Sequence, residues 1–354
     1  MRFTRAVTAY CSIALMLMIN SAHANDGFGG LAATGLEFGQ TEAVAMQDED
    51  LYISPTEIRV AYVFKNLTDR DVSGEVIFPL PPIRLSDMIY SQYNLPDDLS
   101  AENLVGFHAE VAGVEVPVQI DRIAVIEPEW SETTPSTQQY DAPGKDVSDL
   151  LRQFGLPFSV DAEAISGLLL SRGQKDRDTL VALGLAQYDS AGDDYAETAY
   201  PLWSVVLRYH WTQTFPAGKE LRIAHRYQNY PSGGIFQWID PPETGEYMSD
   251  LAKTYCIDAP TSKAIAKRLT RLGDGETYVT GSSFEMNYVL RTANSWAGPI
   301  RHFKLTVDKA KPENVVSLCV NGIRKTGATT FVMEKTNYSP EQDLRILVVQ
   351  PLAP

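Results

Sequence analysis

The clearest alternation of apolar and polar positions in the chain runs from Ile58 to Pro81. Ile58, Val60, Tyr62 and Phe64 fall on even positions with Arg59 and Lys65 among the odd ones, the period of a strand with one buried face. A polar break from Asn66 to Asp71 follows, and Val72, Gly74, Val76 and Phe78 resume the even pattern until Pro79 removes a backbone donor. The pattern predicts two strands paired antiparallel, and such a pair needs a second sheet over its even face, hence a β-sandwich. Strand-like runs recur at Phe107 to Val111 and Val114 to Ile126, with Gly113 as the hairpin break. Further on, Trp203, Val205, Leu207, Tyr209 and Trp211 share the odd face of a strand, Phe215 to Gly218 turns, and Leu221 to Tyr227 runs back.

Between these strands the period changes. Glu127 to Lys145 is rich in Pro, Ser, Thr, Gln and acid and reads as a linker or a long loop. Val147, Leu150, Leu151 and Phe154 then follow helical spacing, as do Ile165, Leu168 and Leu169, and a third short turn holds Leu180 and Leu183. Asp146 to Gln187 is therefore expected to be a small helical insert. Tyr188 to Tyr200 reads as an exposed linker, and Gln237 to Thr244, with Asp240-Pro241-Pro242, as a domain boundary. Beyond it come a helix at Thr261 to Leu272 and alternating runs at Phe284 to Leu290, Ile300 to Val307, Val315 to Val320, Thr330 to Glu334 and Leu344 to Val349. Asn321-Gly322 is a two-residue hairpin signal. The expected fold is mostly β: two β-sandwich-like domains, residues 25–238 with a helical insert at about 146–187, and residues 239–354.

The N-terminus adds an address. Arg2 and Arg5 precede an apolar run from Cys11 to Ile19, and Ala22-His23-Ala24 has the small-x-small form cut by signal peptidase, which predicts a signal peptide over residues 1–24, cleavage between Ala24 and Asn25, and a periplasmic or secreted protein with no spanning segment left. Cleavage moves the net charge from −15 to −17 by removing Arg2 and Arg5. So acidic a chain, without Lys and Arg clusters, argues against nucleic acid and anionic membrane faces as partners. Cleavage also removes Cys11, leaving Cys256 and Cys319 as an even pair in an oxidising compartment, expected to be bridged.

Candidate chemistry is sparse. Gln47 to Asp50 places three acids in a row, which cannot all face one calcium ion, and the stretch reads as a solvated turn before a strand. Asp189, Asp193 and Asp194 around Gly192 lack the spacing of a calcium loop. His108 has no second His at ligand spacing and reads as a strand histidine, and His210 and His225 face each other across the predicted hairpin in one register. Asn66-Leu67-Thr68 reads as turn chemistry, and Tyr230 to Gly234 lacks the ending of a phosphate loop. HExxH, Walker, G-x-S-x-G and dinucleotide motifs are missing from the sequence, so no catalytic, metal or cofactor residue is assigned and no cofactor is expected.

The run YVFKNLTDRDVSGEVIFPLP, with LAATGLEF at Leu31 to Phe38 and the later YCIDAP and SLCVNG, resembles the bacterial secreted family of unknown function DUF4424 over nearly the whole chain beyond the signal peptide. Its FPLP ending is also similar to that of the VIT domains of inter-alpha-trypsin inhibitor heavy chains, over that stretch alone. The family resemblance implies location and fold and brings no catalytic residues. The expected role is that of an exported envelope protein that binds an unknown envelope protein or glycan, or is structural, rather than an enzyme, with capture near the helical insert. The alternatives are glycan binding through Trp130, Trp203, Trp211, Trp238, Trp296 and the tyrosines, or a carboxylate-dependent hydrolase of envelope material.

Overall fold

The computed structural model describes residues 27–28, 33–34, 37–38, 42–80, 82–90, 93–128, 144–189, 197–273 and 275–352. The expected signal peptide and its expected cleavage point, Ala24 and Asn25, lie outside the described residues, as do Trp130, Asp193 and Asp194. The fold is mostly β.

Three short strands open the described chain: β1 (Gly27–Phe28), β2 (Ala33–Thr34) and β3 (Glu37–Phe38). Two long ones follow, β4 (Val44–Ile53) and β5 (Glu57–Asn66), then β6 (Val72–Pro79), β7 (Ile83–Arg84) and α1 (Leu85–Tyr90). Next come β8 (His108–Val111), β9 (Val114–Glu115), β10 (Gln119–Ile126) and β11 (Lys145–Asp146). Helices α2 (Ser148–Gln153), α3 (Ala162–Leu170) and α4 (Gln174–Ala182) fall where helical spacing predicts them. Asp161 caps α3, its carboxylate accepting from the Ala164 backbone amide at 2.9 Å. Strands β12 (Ala186–Asp189), β13 (Thr198–Pro201), β14 (Ser204–Phe215), β15 (Glu220–Gln228) and β16 (Ser232–Trp238) lead to α5 (Glu246–Thr254) and α6 (Ala259–Arg268). The chain ends with β17 (Val279–Val289), β18 (Ile300–Asp308), β19 (Val315–Leu318), β20 (Arg324–Lys325), β21 (Thr330–Tyr338) and β22 (Leu344–Pro351).

Three sheets dominate. The largest has eight strands in the order β20-β21-β18-β4-β5-β15-β8-β9. One six-stranded sheet runs β11-β10-β14-β6-β3 with β7 beside β14, and the other runs β1-β16-β17-β22-β19 with β2 beside β17. Strand pairing crosses residue 238, because β18 lies parallel to β4 with Leu305 opposite Leu51. The main core is likewise shared, joining Val60, Phe64, Val76, Leu207, Phe303 and Ile346. A smaller core sits under α5 and α6, where Trp238, Ile265, Leu269 and Leu347 meet. Gly281 admits that contact: a Cβ there would stand 2.5 Å from a Leu269 methyl and 2.4 Å from the Gln350 carbonyl oxygen.

The alternation of β5 and β6 holds, but the two strands are not partners. β5 pairs with β4 and β15 in the large sheet, while β6 pairs with β14 and β3 in a six-stranded one. The break at Asn66 to Asp71 is thus an arch between sheets, and it brings the two even faces into one core. Asn66 holds the arch from inside: its Nδ2 donates to the Arg70 and Phe215 carbonyls at 2.8 Å each, and its Oδ1 accepts from the Thr68 amide at 2.9 Å. The link from β14 to β15 is a second arch stacked on the first, the Gly218 amide donating to the Thr68 carbonyl at 2.9 Å. The predicted hairpin of these strands is therefore absent. At Asn321-Gly322 the expected hairpin is replaced by a crossing from β19 in one sheet to β20 in another. The turn at Gly113 is a true hairpin: Ala112 and Gly113 have φ of 52° and 79°, and Val111 faces Val114.

Candidate functional site

The outer face of the large sheet carries two cross-strand rows of side chains. In the first, Thr306, Tyr52, Arg59, Arg226 and His108 are successive neighbours on β18, β4, β5, β15 and β8. In the second, the neighbours are Lys304, Asp50, Ala61, Ala224 and Glu110. Ala61 and Ala224 end in methyl groups between long charged side chains, so the sheet surface is hollowed there. The result is an open cavity of about 380 Å³ with the two alanines in its lining, and a second of about 300 Å³ toward Asp48, Val63 and Arg222. Cavities of this size suit small molecules, and the charged side chains around these two suit polar ones.

The charges around the hollow are partly committed. Lys304 Nζ donates to Asp50 at 2.8 Å, and His108 Nδ1 lies 2.9 Å from Glu115. The Arg59 guanidinium stands 4.2 Å from the Tyr52 ring centroid and 3.2 Å from Glu57. Tyr52 in turn donates to Asp308 at 3.0 Å, and burial, followed by that carboxylate, pushes its phenol above the ordinary value. Arg226, Arg222, Glu110 and Asp48 make no ion pair among the described residues. A larger cavity of about 630 Å³ lies beside the disulfide, and two of its polar lining groups are engaged with neighbours. There the Tyr255 hydroxyl donates to Glu285 at 2.9 Å, and Asp343 accepts from the Leu290 amide at 3.1 Å.

The acidic run at Gln47 to Asp50 is part of β4 and not the expected solvated turn. Strand alternation sends Asp48 and Asp50 to the outer face and Glu49 inward, opposite Tyr62 and Phe303. Glu49 is 3% exposed and its Oε2 has no partner; burial raises its pKa from 4.5 to about 8. Sequence reasoning missed this carboxyl, although its signal, an acid at an inward position of an alternating strand, was readable once β4 was placed. His225 is its counterpart. Both ring nitrogens lack partners among Tyr62, Phe78, Phe107 and Tyr227, and burial lowers its pKa from 6.5 to about 3.

His210 and His225 do not face each other. His225 points into the core from the large sheet, whereas His210 on β14 lies between Glu75, at 2.7 Å, and Asp121, at 3.2 Å, on the other sheet. His302 is exposed beside Asp48. Among the described residues no three acids, histidines or cysteines are grouped to hold a metal. The four described tryptophans, Trp203, Trp211, Trp238 and Trp296, are buried at 5% exposure or less, so they form no sugar-stacking face. Asn66 is buried with its amide fully engaged. Cys256 and Cys319 form a disulfide with Cα atoms 5.1 Å apart, tying the end of α5 to β19. No helix among the described residues is long and apolar enough to cross a membrane.

The model of the family described as a domain of unknown function, DUF4424, matches residues 24–347. The chain belongs to this family. No curated protein matches the DUF4424 chain. Among solved structures it is similar to a protein from Legionella pneumophila described as a candidate nutrient-binding protein, at 15% identity and a TM-score of 0.47, over 92% of this chain and 72% of that one. For this DUF4424 protein the outer-face hollow, with its unpaired charges, is the candidate site.

Proposed function

We propose that the protein is an exported component of the bacterial envelope that captures a small polar ligand on the outer face of its large sheet and does not chemically transform it. The observation that carries this reading is the hollow of about 380 Å³ over Ala61 and Ala224, rimmed by side chains that reach into it from five strands. Rigid strands set those side chains, which suits recognition. The groups around it supply charge and hydrogen bonds; the buried carboxyl that could be tuned for acid–base work, Glu49, points to the opposite face of the sheet.

Export is part of the same reading. The intact mass of the protein recovered from periplasm or medium should begin at Asn25, and retention of Met1 to Ala24 would count against it. Ligand capture is tested by two-dimensional NMR of the purified protein against a library of small polar compounds. Shifts should cluster on Ala61, Ala224 and their neighbours, and incubation with envelope glycans and with ester, peptide and phosphate substrates should release no product. Turnover lost on replacing Asp50 or Glu110 would turn the reading into that of a hydrolase.

A further inference from the structure

Two arginines stand directly opposite each other in the hollow's wall. Arg59 on β5 and Arg226 on β15 are register partners, and like charges at directly opposed positions repel. A strand pair ordinarily avoids this or places a carboxylate between. Here the nearest cross-strand neighbours of the pair are Tyr52 on one side and His108 on the other, and neither is an acid. Arg59 is already oriented, its guanidinium lying over the Tyr52 ring and anchored at Nε by Glu57. Arg226 is exposed and has no ion pair among the described residues. Along the same strand Arg222 projects to the same face toward the adjoining cavity, again without a carboxylate partner. The chain as a whole carries a net charge of −15, and the same face also holds Asp48, Asp50 and Glu110.

We infer that the hollow is a receptor for an acidic small molecule, its oxyanion clamped between the Arg59 and Arg226 guanidiniums and its body lying over Ala61 and Ala224. The inference rests on the ligand-capture reading above and adds the ligand's chemical class. Planar guanidiniums take carboxylate or phosphate oxygens through paired N–H donors, and a negative charge at that place removes the repulsion between the two arginines. The alanine floor leaves room for the carbon skeleton, while Asp50 and Glu110, in the next row, supply acceptors for hydroxyl or amine groups. Favourable binding is expected to weaken with salt, as attraction between partly exposed charges is screened.

The test uses the full exported chain and two probes, inorganic phosphate and glucuronate, titrated by calorimetry and by NMR of the arginine Nε–H signals. Both probes should bind saturably and shift the Arg59 and Arg226 signals. Arg226→Gln should weaken binding at least tenfold, Arg226→Lys should restore part of it, and Lys175→Gln, on the remote α4, should change nothing. Circular dichroism melts of the variants show that they fold. Equal affinity in wild type and Arg226→Gln would overturn the clamp. Binding of neutral compounds in the hollow with no response to either anion would also overturn it while leaving ligand capture standing, and silence from the whole library as well would remove both.

Discussion

Replacing Glu49 by Gln tests whether the core of this protein holds a neutral carboxylic acid. Glu49 is 3% exposed, one of its oxygens has no partner, and burial raises its pKa from 4.5 to about 8. Below pH 4.5 the group is protonated in folded and unfolded chains alike and leaves stability untouched. As pH rises past that value the unfolded chain ionises and the folded one does not, so stability falls by about 1.4 kcal/mol per pH unit until the folded group ionises near pH 8. Gln has nearly the same shape and no such proton. Urea unfolding of wild type and Glu49→Gln at pH 5 and pH 7, with the disulfide intact, isolates the effect: the stability of the variant relative to wild type should improve by about 3 kcal/mol between the two pH values. Burying the amide has its own cost, but that cost does not depend on pH, so the change in the difference is diagnostic. A difference that stays constant from pH 5 to pH 7 would refute the neutral-acid assignment.

His225 carries the opposite dependence: its pKa is lowered to about 3, so stability is complete above pH 6.5 and is lost as pH falls toward 3. His225→Phe, which fits the surrounding aromatic rings, should gain about 3 kcal/mol on wild type in going from pH 7 to pH 4, and an unchanged acid limb in a calorimetric series would sink the idea. Removing the disulfide with the double substitution Cys256→Ser and Cys319→Ser opens a loop of 63 residues and should cost about 4 kcal/mol in denaturant unfolding, while wild type should show no free thiol when denatured without reductant. Asn66→Ala leaves the Arg70 and Phe215 carbonyls without their side-chain donor and should destabilise by about 3 kcal/mol; a loss below roughly 1 kcal/mol would mean the arch is held elsewhere.

Strand positions and their buried faces were legible in the sequence. The even residues of β5 and β6 and the odd residues of β14 and β15 are the ones that enter the core, and the Gly113 hairpin and the helices between Ser148 and Ala182 lie where spacing placed them. The pairing of those strands was not legible. Short polar links suggested hairpins, yet the links at Asn66 to Asp71 and Phe215 to Gly218 carry the chain from one sheet to another. A six-residue polar break suits a hairpin and an arch equally well, and the difference lies in an amide bonded to a carbonyl 149 residues away. The candidate site was invisible for a related reason. Arg59 and Arg226 meet only through the register of β5 with β15, and the alanines that open the hollow are unremarkable letters until they stand side by side.

The sequence alone therefore determined which face of each strand is apolar and where helices replace strands, because side-chain alternation and local spacing are properties of neighbouring residues. The tertiary structure decided which strands share a sheet, that β4 joins β18 across more than two hundred residues, and that Glu49 turns inward while Asp48 and Asp50 face out with the arginines. Sheets are built from backbone hydrogen bonds, which are the same for nearly every residue; partner choice is set by how all the apolar faces can be covered at once, and that is a property of the whole chain.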